Sequence, residues 1–160
     1  MYREPGPIAG RKVGIVADDG SDLAGVGKLI KALTAQGVVP LLIAPHGGQL
    51  KAGRRSELVE RTYLTARSIE FDAIVVAGGT TGGDIKLELL LQEAFRHCKP
   101  VAAWGDGEAV LADAGITGDE PGVMTAAAAD KAFVGELATA LGLHRVWERA
   151  ALVMSSAAPA

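Results

Sequence analysis

Cys98 is the only thiol in the sequence, and His46, His97 and His144 are the only imidazoles. A cysteine attacks as its thiolate, so it needs access and positive surroundings. Cys98 instead stands just ahead of the apolar run Val101-Ala102-Ala103-Trp104, where a strand would begin. Ligands of open α/β sheets collect where strands finish. At about 3.3 Å per residue the two ends of that strand lie roughly 13–17 Å apart, which leaves Cys98 reading as a buried or half-buried structural thiol. The histidines have no metal-ligand spacing. His97 falls near the end of a helical stretch, where the dipole favours a cation. No serine stands in a G-x-S-x-G elbow, and Trp104 and Trp147 read as packing residues.

Gly78 and Gly83 have the separation of a phosphate-binding loop, but such a loop continues with Lys and Ser/Thr. Here Asp84 and Ile85 follow, and a carboxylate repels phosphate. The turn Asp18-Asp19-Gly20-Ser21-Asp22 lacks G-x-G-x-x-G, which speaks against a dinucleotide. The glycines are read as letting the backbone turn tightly at strand ends. Asp18, Asp19, Asp22, Asp84 and Asp106 offer oxygen ligands of the kind Mg²⁺ or Ca²⁺ takes. Their spacing matches no cation-binding loop, so they read as helix caps and solvated turns, and no metal is expected.

The elements that must position these residues alternate. Lys12–Ala17 is a short β-rich run, as a strand covered on both faces should be. Asp22 can cap a helix that ends near Gln36, with Gly37 as its stop; Val26, Leu29, Ile30 and Leu33 form its buried stripe. Val38–Ile43 is a second strand, and Pro40 suggests that it lies toward an edge or begins late. Residues 44–70 open on the turn Pro45-His46-Gly47-Gly48 and leave room for small strands or a short excursion. Ala73–Ala77 is a strand, and Asp84 caps a helix buried through Leu87, Leu90, Leu91 and Ala94. Val101–Trp104, a short helix ending near Gly115, a strand around Val123-Met124-Thr125 and a helix from about Asp130 to Leu141 complete the series. Such alternation demands a mostly parallel sheet with helices on both faces, a doubly wound α/β fold. Its ligand crevice would lie among residues 18–22, 44–48, 78–84 and 105–107. Residues 1–10 read as a linker or arm, 11–150 as the α/β domain, and 151–160 as a frayed tail.

Composition narrows the function. The chain has 160 residues, 16 Lys plus Arg against 19 Asp plus Glu, and a net charge of −3. Nucleic acid as a partner wants a basic face, and no Lys/Arg cluster larger than Arg54-Arg55 occurs. No apolar run reaches the roughly 18 residues of a membrane helix. One cysteine forms no internal disulfide, which suits a reducing cytoplasm, and the first residues have no secretory h-region.

The strand 101–104, the turn Gly105-Asp106-Gly107 and the helix after it resemble the nucleophile elbow of the class I glutamine amidotransferase-like superfamily, whose three-layer fold is flavodoxin-like. The resemblance implies that Gly105 stands where active members carry Cys, Asp106 where they often carry His, and Asp22 where they carry a Glu. A glycine has no side chain, so no covalent catalysis is expected there and these positions are degenerate. A closer resemblance runs through Gly10-Arg11-Lys12-Val13-Gly14-Ile15-Val16, Asp19-Gly20, Leu29–Leu33, Glu93–Ala102, Gly105-Asp106 and His144-Arg145-Val146-Trp147-Glu148-Arg149. These stretches, in this order, are similar to the C-terminal domain of the large-subunit haem catalases. That implies a parent enzyme disproportionating hydrogen peroxide, a tetramer, with haem held by a separate domain. For this chain it implies a non-catalytic auxiliary role, with no cofactor of its own. Its partners would be the catalase core and sister subunits, with holdase behaviour or self-association of the isolated domain as further expectations. The alternatives are a stand-alone hydrolase, glyoxalase or chaperone of the superfamily, and a small-ligand sensor.

Overall fold

The structure, a computed structural model, describes residues 7–143. The expected tail, His144, Trp147 and the segment His144–Arg149 lie outside these residues, as does most of the expected arm.

The strands and helices alternate as β1 (Lys12–Val16), α1 (Leu23–Ala35), β2 (Val39–Ala44), β3 (Gln49–Ala52), β4 (Arg55–Leu58), β5 (Arg61–Thr62), a 3₁₀ turn (Ser68–Glu70), β6 (Ala73–Val76), α2 (Ile85–Arg96), β7 (Val101–Trp104), α3 (Gly107–Asp113), β8 (Val123–Ala126) and α4 (Lys131–Gly142). Six strands form one sheet in the order β5-β2-β1-β6-β7-β8, and every neighbouring pair in it is parallel. Parallel pairing requires crossovers, and helices supply most of them. The fold is the expected doubly wound α/β sandwich.

Residue alternation along the central strands divides the core in two. Val13, Ile15, Val75, Ala102 and Trp104 face α1 and α4, where they meet Leu29, Leu33, Phe133 and Leu137. Val16, Ile74, Val76, Val101 and Ala103 face α2 and α3, where they meet Leu87, Leu91, Val110 and Leu111. The continuous apolar runs of the sequence arise because both faces are covered. Among the described residues, three of the four helices are capped by an aspartate side chain: Asp22, Asp84 and Asp130 accept backbone N–H bonds from Gly25 at 3.0 Å, Lys86 at 2.8 Å and Phe133 at 2.9 Å.

Residues 44–70, unresolved from sequence into definite elements, contain an antiparallel hairpin of β3 and β4, the two-residue β5 and the 3₁₀ turn. The hairpin leans on α1 through the buried Leu50. Because β5 pairs only with Ile43 and Ala44, the start of β2 has no strand on its outer side, and Pro40 sits there as an edge residue should.

Candidate functional site

The loops at the carboxyl ends of β1, β6 and β7 converge, and carboxylates hold them together. Asp18 Oδ1 accepts the Gly20 N–H at 2.9 Å, and its Oδ2 reaches across to the Thr81 N–H at 2.7 Å. Asp22 shares its oxygens between the Gly25 N–H at 3.0 Å and the Trp104 indole N–H at 3.2 Å. The Asp22 N–H itself bonds the Gly78 carbonyl at 2.8 Å. Asp106 Oδ1 accepts the Gly79 N–H. Beneath them Ser21 Oγ lies 2.8 Å from Thr80 Oγ1, a buried hydroxyl pair that bridges the loops after β1 and β6.

Gly105 turns β7 into α3 with φ of +58°, the left-handed bend an elbow uses to lift a side chain out of the sheet. A Cβ here would meet only Gly78 Cα at 3.6 Å and the Ala127 carbonyl at 3.7 Å, so the space for a side chain is present. Two residues on, Gly107 packs so closely that a Cβ would stand 2.8 Å from the Val76 and Ala77 carbonyls. Asp106, at the start of α3, makes no capping bond to the helix with its side chain. The structure thus brings Gly105, Asp106 and Asp22 to one end of the sheet, with the Trp104 indole bonded to Asp22. The carboxylates of Asp22 and Asp106 hold backbone and indole N–H groups; neither is presented as a base.

Of the other acidic residues, Asp84 caps α2, while Asp19 makes a pair that spacing along the chain did not reveal. Its Oδ2 lies 2.8 Å from His46 Nε2, and His46 Nδ1 donates to the Gly47 carbonyl at 2.8 Å. The carbonyl of Gly47, and after it the Asp19 carboxylate, raise the His46 pKa above its ordinary value; the His46 hydrogen bond, then the Lys51 N–H, lower that of Asp19. The partners are 27 residues apart in sequence and meet only because β1 and β2 lie side by side. Among the described residues no group of three or more His, Cys, Asp or Glu side chains is placed to hold a metal ion.

Cys98 lies at the opposite end of the sheet, 6 % exposed, as its place before β7 predicts. Tyr63 follows β5 at the strand ends. It is buried, and its hydroxyl has no hydrogen-bond partner among the described residues. Burial, and behind it the negative charge of Asp18 and Asp84, raise its pKa above the ordinary phenol range.

Neither the hollow beside Tyr63 nor the one between α1 and α4 has the size and lining of a haem pocket. The hollow beside Tyr63 measures about 200 Å³, below the ~300–1,000 Å³ of ordinary ligand pockets. The larger hollow between α1 and α4, about 550 Å³, is lined by no Tyr, His, Cys or Met that could serve as an axial ligand.

The family model described as the C-terminal domain found in long catalases matches residues 9–151. Catalase HPII of Mycobacterium avium is 36 % identical over 162 residues, taking in 89 % of this chain and 23 % of the relative. Catalase HPII of Pseudomonas aeruginosa is 39 % identical over 152 residues, with 91 % and 21 % covered. Catalase-2 of Bacillus subtilis is 29 % identical over 147 residues, with 87 % and 21 % covered. The chain spans about a fifth of the length of the curated relatives it matches.

Proposed function

Because the chain belongs to the family of C-terminal domains found in long catalases, we propose that it is a non-catalytic auxiliary domain of such an enzyme. In this reading the parent disproportionates hydrogen peroxide at a haem held elsewhere in its polypeptide. The domain packs on the catalytic core, strengthens the association of subunits into a tetramer, shapes the approach of peroxide and acts as a weak holdase when detached. It works in the cytoplasm and touches neither nucleic acid nor membrane; no helix among the described residues is long and apolar enough to cross a bilayer.

The observation that carries the proposal is the match over residues 9–151 to a segment that makes up only a fifth of its relatives. The site agrees with it. A nucleophile elbow without a nucleophile offers no covalent chemistry, and the carboxylates around it are engaged in holding loops. Gly105, Asp106 and Asp22 are therefore assigned as a degenerate site whose surviving work is structural. A hydrolase or glyoxalase reading loses its nucleophile at the same position.

The test compares the whole natural polypeptide with a version lacking this domain and with the 160-residue chain alone. The isolated chain should show no Soret absorption and no peroxide turnover. The truncated parent should keep its haem, yet dissociate at lower temperature or lower denaturant and shift its preference between hydrogen peroxide and bulkier alkyl peroxides. Turnover by the isolated chain overturns the proposal, as does a truncated parent identical to the whole in assembly and peroxide preference.

A further inference from the structure

Four of the seven large apolar side chains exposed among the described residues lie on one face: Leu64, Ile69, Ile85 and Leu89. They are between 46 % and 84 % exposed, with Ile69 the furthest out. Ile85 and Leu89, four apart on α2, share its outer side with Glu93. The strap that follows β5, residues 63–70, runs beside that helix, and Ser68 Oγ ties it to Glu93 at 3.3 Å. Between strap and helix run two hollows, about 200 and 350 Å³, which share Arg67 and Glu93. Together they form a trough with apolar walls at Leu64, Leu89 and Ile69.

Cations rim it. Lys86 lines one hollow and Arg96 the other, and neither makes an ion pair among the described residues. Monomeric proteins rarely leave large apolar side chains grouped in this way unless something covers them. The rim suits an apolar segment flanked by carboxylates.

The family places this domain at the C-terminal end of proteins about five times its length, so the bulk of such a polypeptide precedes it. The chain enters the sheet at the lower end of the trough. Lys12 N–H donates to Asp72 Oδ2 at 2.8 Å and Arg11 lies 3.7 Å from Asp72 Oδ1, three residues beyond Ile69. We propose that the trough between α2 and the 63–70 strap is the docking surface for the preceding, catalytic part of the same polypeptide, which lays an acidic-flanked apolar segment into it. This inference rests on the auxiliary-domain reading and adds to it the face used.

The experiment takes the whole natural polypeptide, the 160-residue chain, and both again with Leu64→Glu and Leu89→Glu together. Hydrogen exchange should show residues 63–70 and 85–97 protected in the whole polypeptide relative to the isolated chain. The double substitution should abolish that protection and speed proteolytic release of the domain at least about tenfold, the loss expected when central apolar anchors are replaced by charge. Thermal unfolding of the isolated chain should stay unchanged, because both side chains are already exposed. A whole polypeptide that contains a haem domain yet exchanges equally on this face, or releases the double variant at the original rate, overturns the docking surface and leaves the auxiliary role standing. A gene that encodes nothing upstream overturns both.

Discussion

Adding a side chain at Gly105 would measure how much of an elbow survives as geometry alone. The position is exposed, and a Cβ meets nothing closer than 3.6 Å, but φ of +58° penalises any L side chain. Gly105→Cys should therefore cost about 1–2 kcal/mol of unfolding free energy, measured by urea denaturation. It should also create a thiol that reacts with a thiol reagent in the folded state, whereas Cys98 stays protected. Peptidase and glyoxalase assays should remain at background, since Asp22 and Asp106 are bound to N–H groups. The exposed Asp19–His46 pair gives a second test at this scale. Asp19→Asn should lower the His46 pKa part of the way toward its ordinary value, followed by NMR titration, the Gly47 carbonyl holding the remainder. Its sign follows from the two shifts. The raised imidazole pKa favours folding below about pH 6.5 and loses that effect as pH climbs through the folded value. The lowered carboxylate pKa favours folding above about pH 4 and loses it as pH falls through the folded value. The pair thus contributes most between those limits and should be absent from the pH profile of Asp19→Asn.

Helix ends show where local sequence speaks and where it is silent. Gly37 and Gly115 follow α1 and α3 with φ of +78° and +81°, and their place was legible from the glycine alone. Helix α2 ends in the same fold of the chain: the Cys98 N–H bonds the Phe95 carbonyl at 3.1 Å and the Lys99 N–H bonds the Ala94 carbonyl at 3.0 Å. Here the left-handed residue is Cys98, at φ of 61°, and nothing in its type announces that. Comparing Cys98→Gly with Cys98→Ala isolates the cost, because both lose the sulfur and differ only by a Cβ in left-handed backbone. The glycine variant should be more stable by about 1 kcal/mol in thermal or urea unfolding. The same contrast accounts for what was legible overall. Strands buried on both faces and helices opened by aspartate announce themselves within a few residues. The hairpin at 49–58, the tie of the 63–70 strap to Glu93 and the long-range contacts of Asp18, Ser21 and His46 depend on partners 25 or more positions away or on weak, half-exposed strands. The bend at Gly105-Asp106-Gly107 was legible as a turn, and Asp22 and Asp106 as polar loop residues; that these carboxylates lace the loops together required the fold.

Across the whole molecule the sheet separates two apolar layers. Leu29 belongs to one and Leu87 to the other, both fully buried. Leu29→Ala and Leu87→Ala should each cost about 2–5 kcal/mol. In the double variant the losses should add within about 0.5 kcal/mol, since side chains on opposite faces of a sheet share no cavity. A larger coupling in the double-mutant cycle would mean that the sheet transmits strain from one layer to the other. The strand order has a further result. β1 is the first strand among the described residues yet occupies the interior of the sheet, and its second neighbour, β6, arrives some sixty positions later in register with it. Such distant pairings carry a loop-closure cost before any contact rewards them. While β6 is still to be synthesised, β1 has one side unsatisfied, and a helper that shields nascent chains would find its target there. Refolding should be slow, and moving the termini so that β1 and β6 become neighbours in sequence should quicken it.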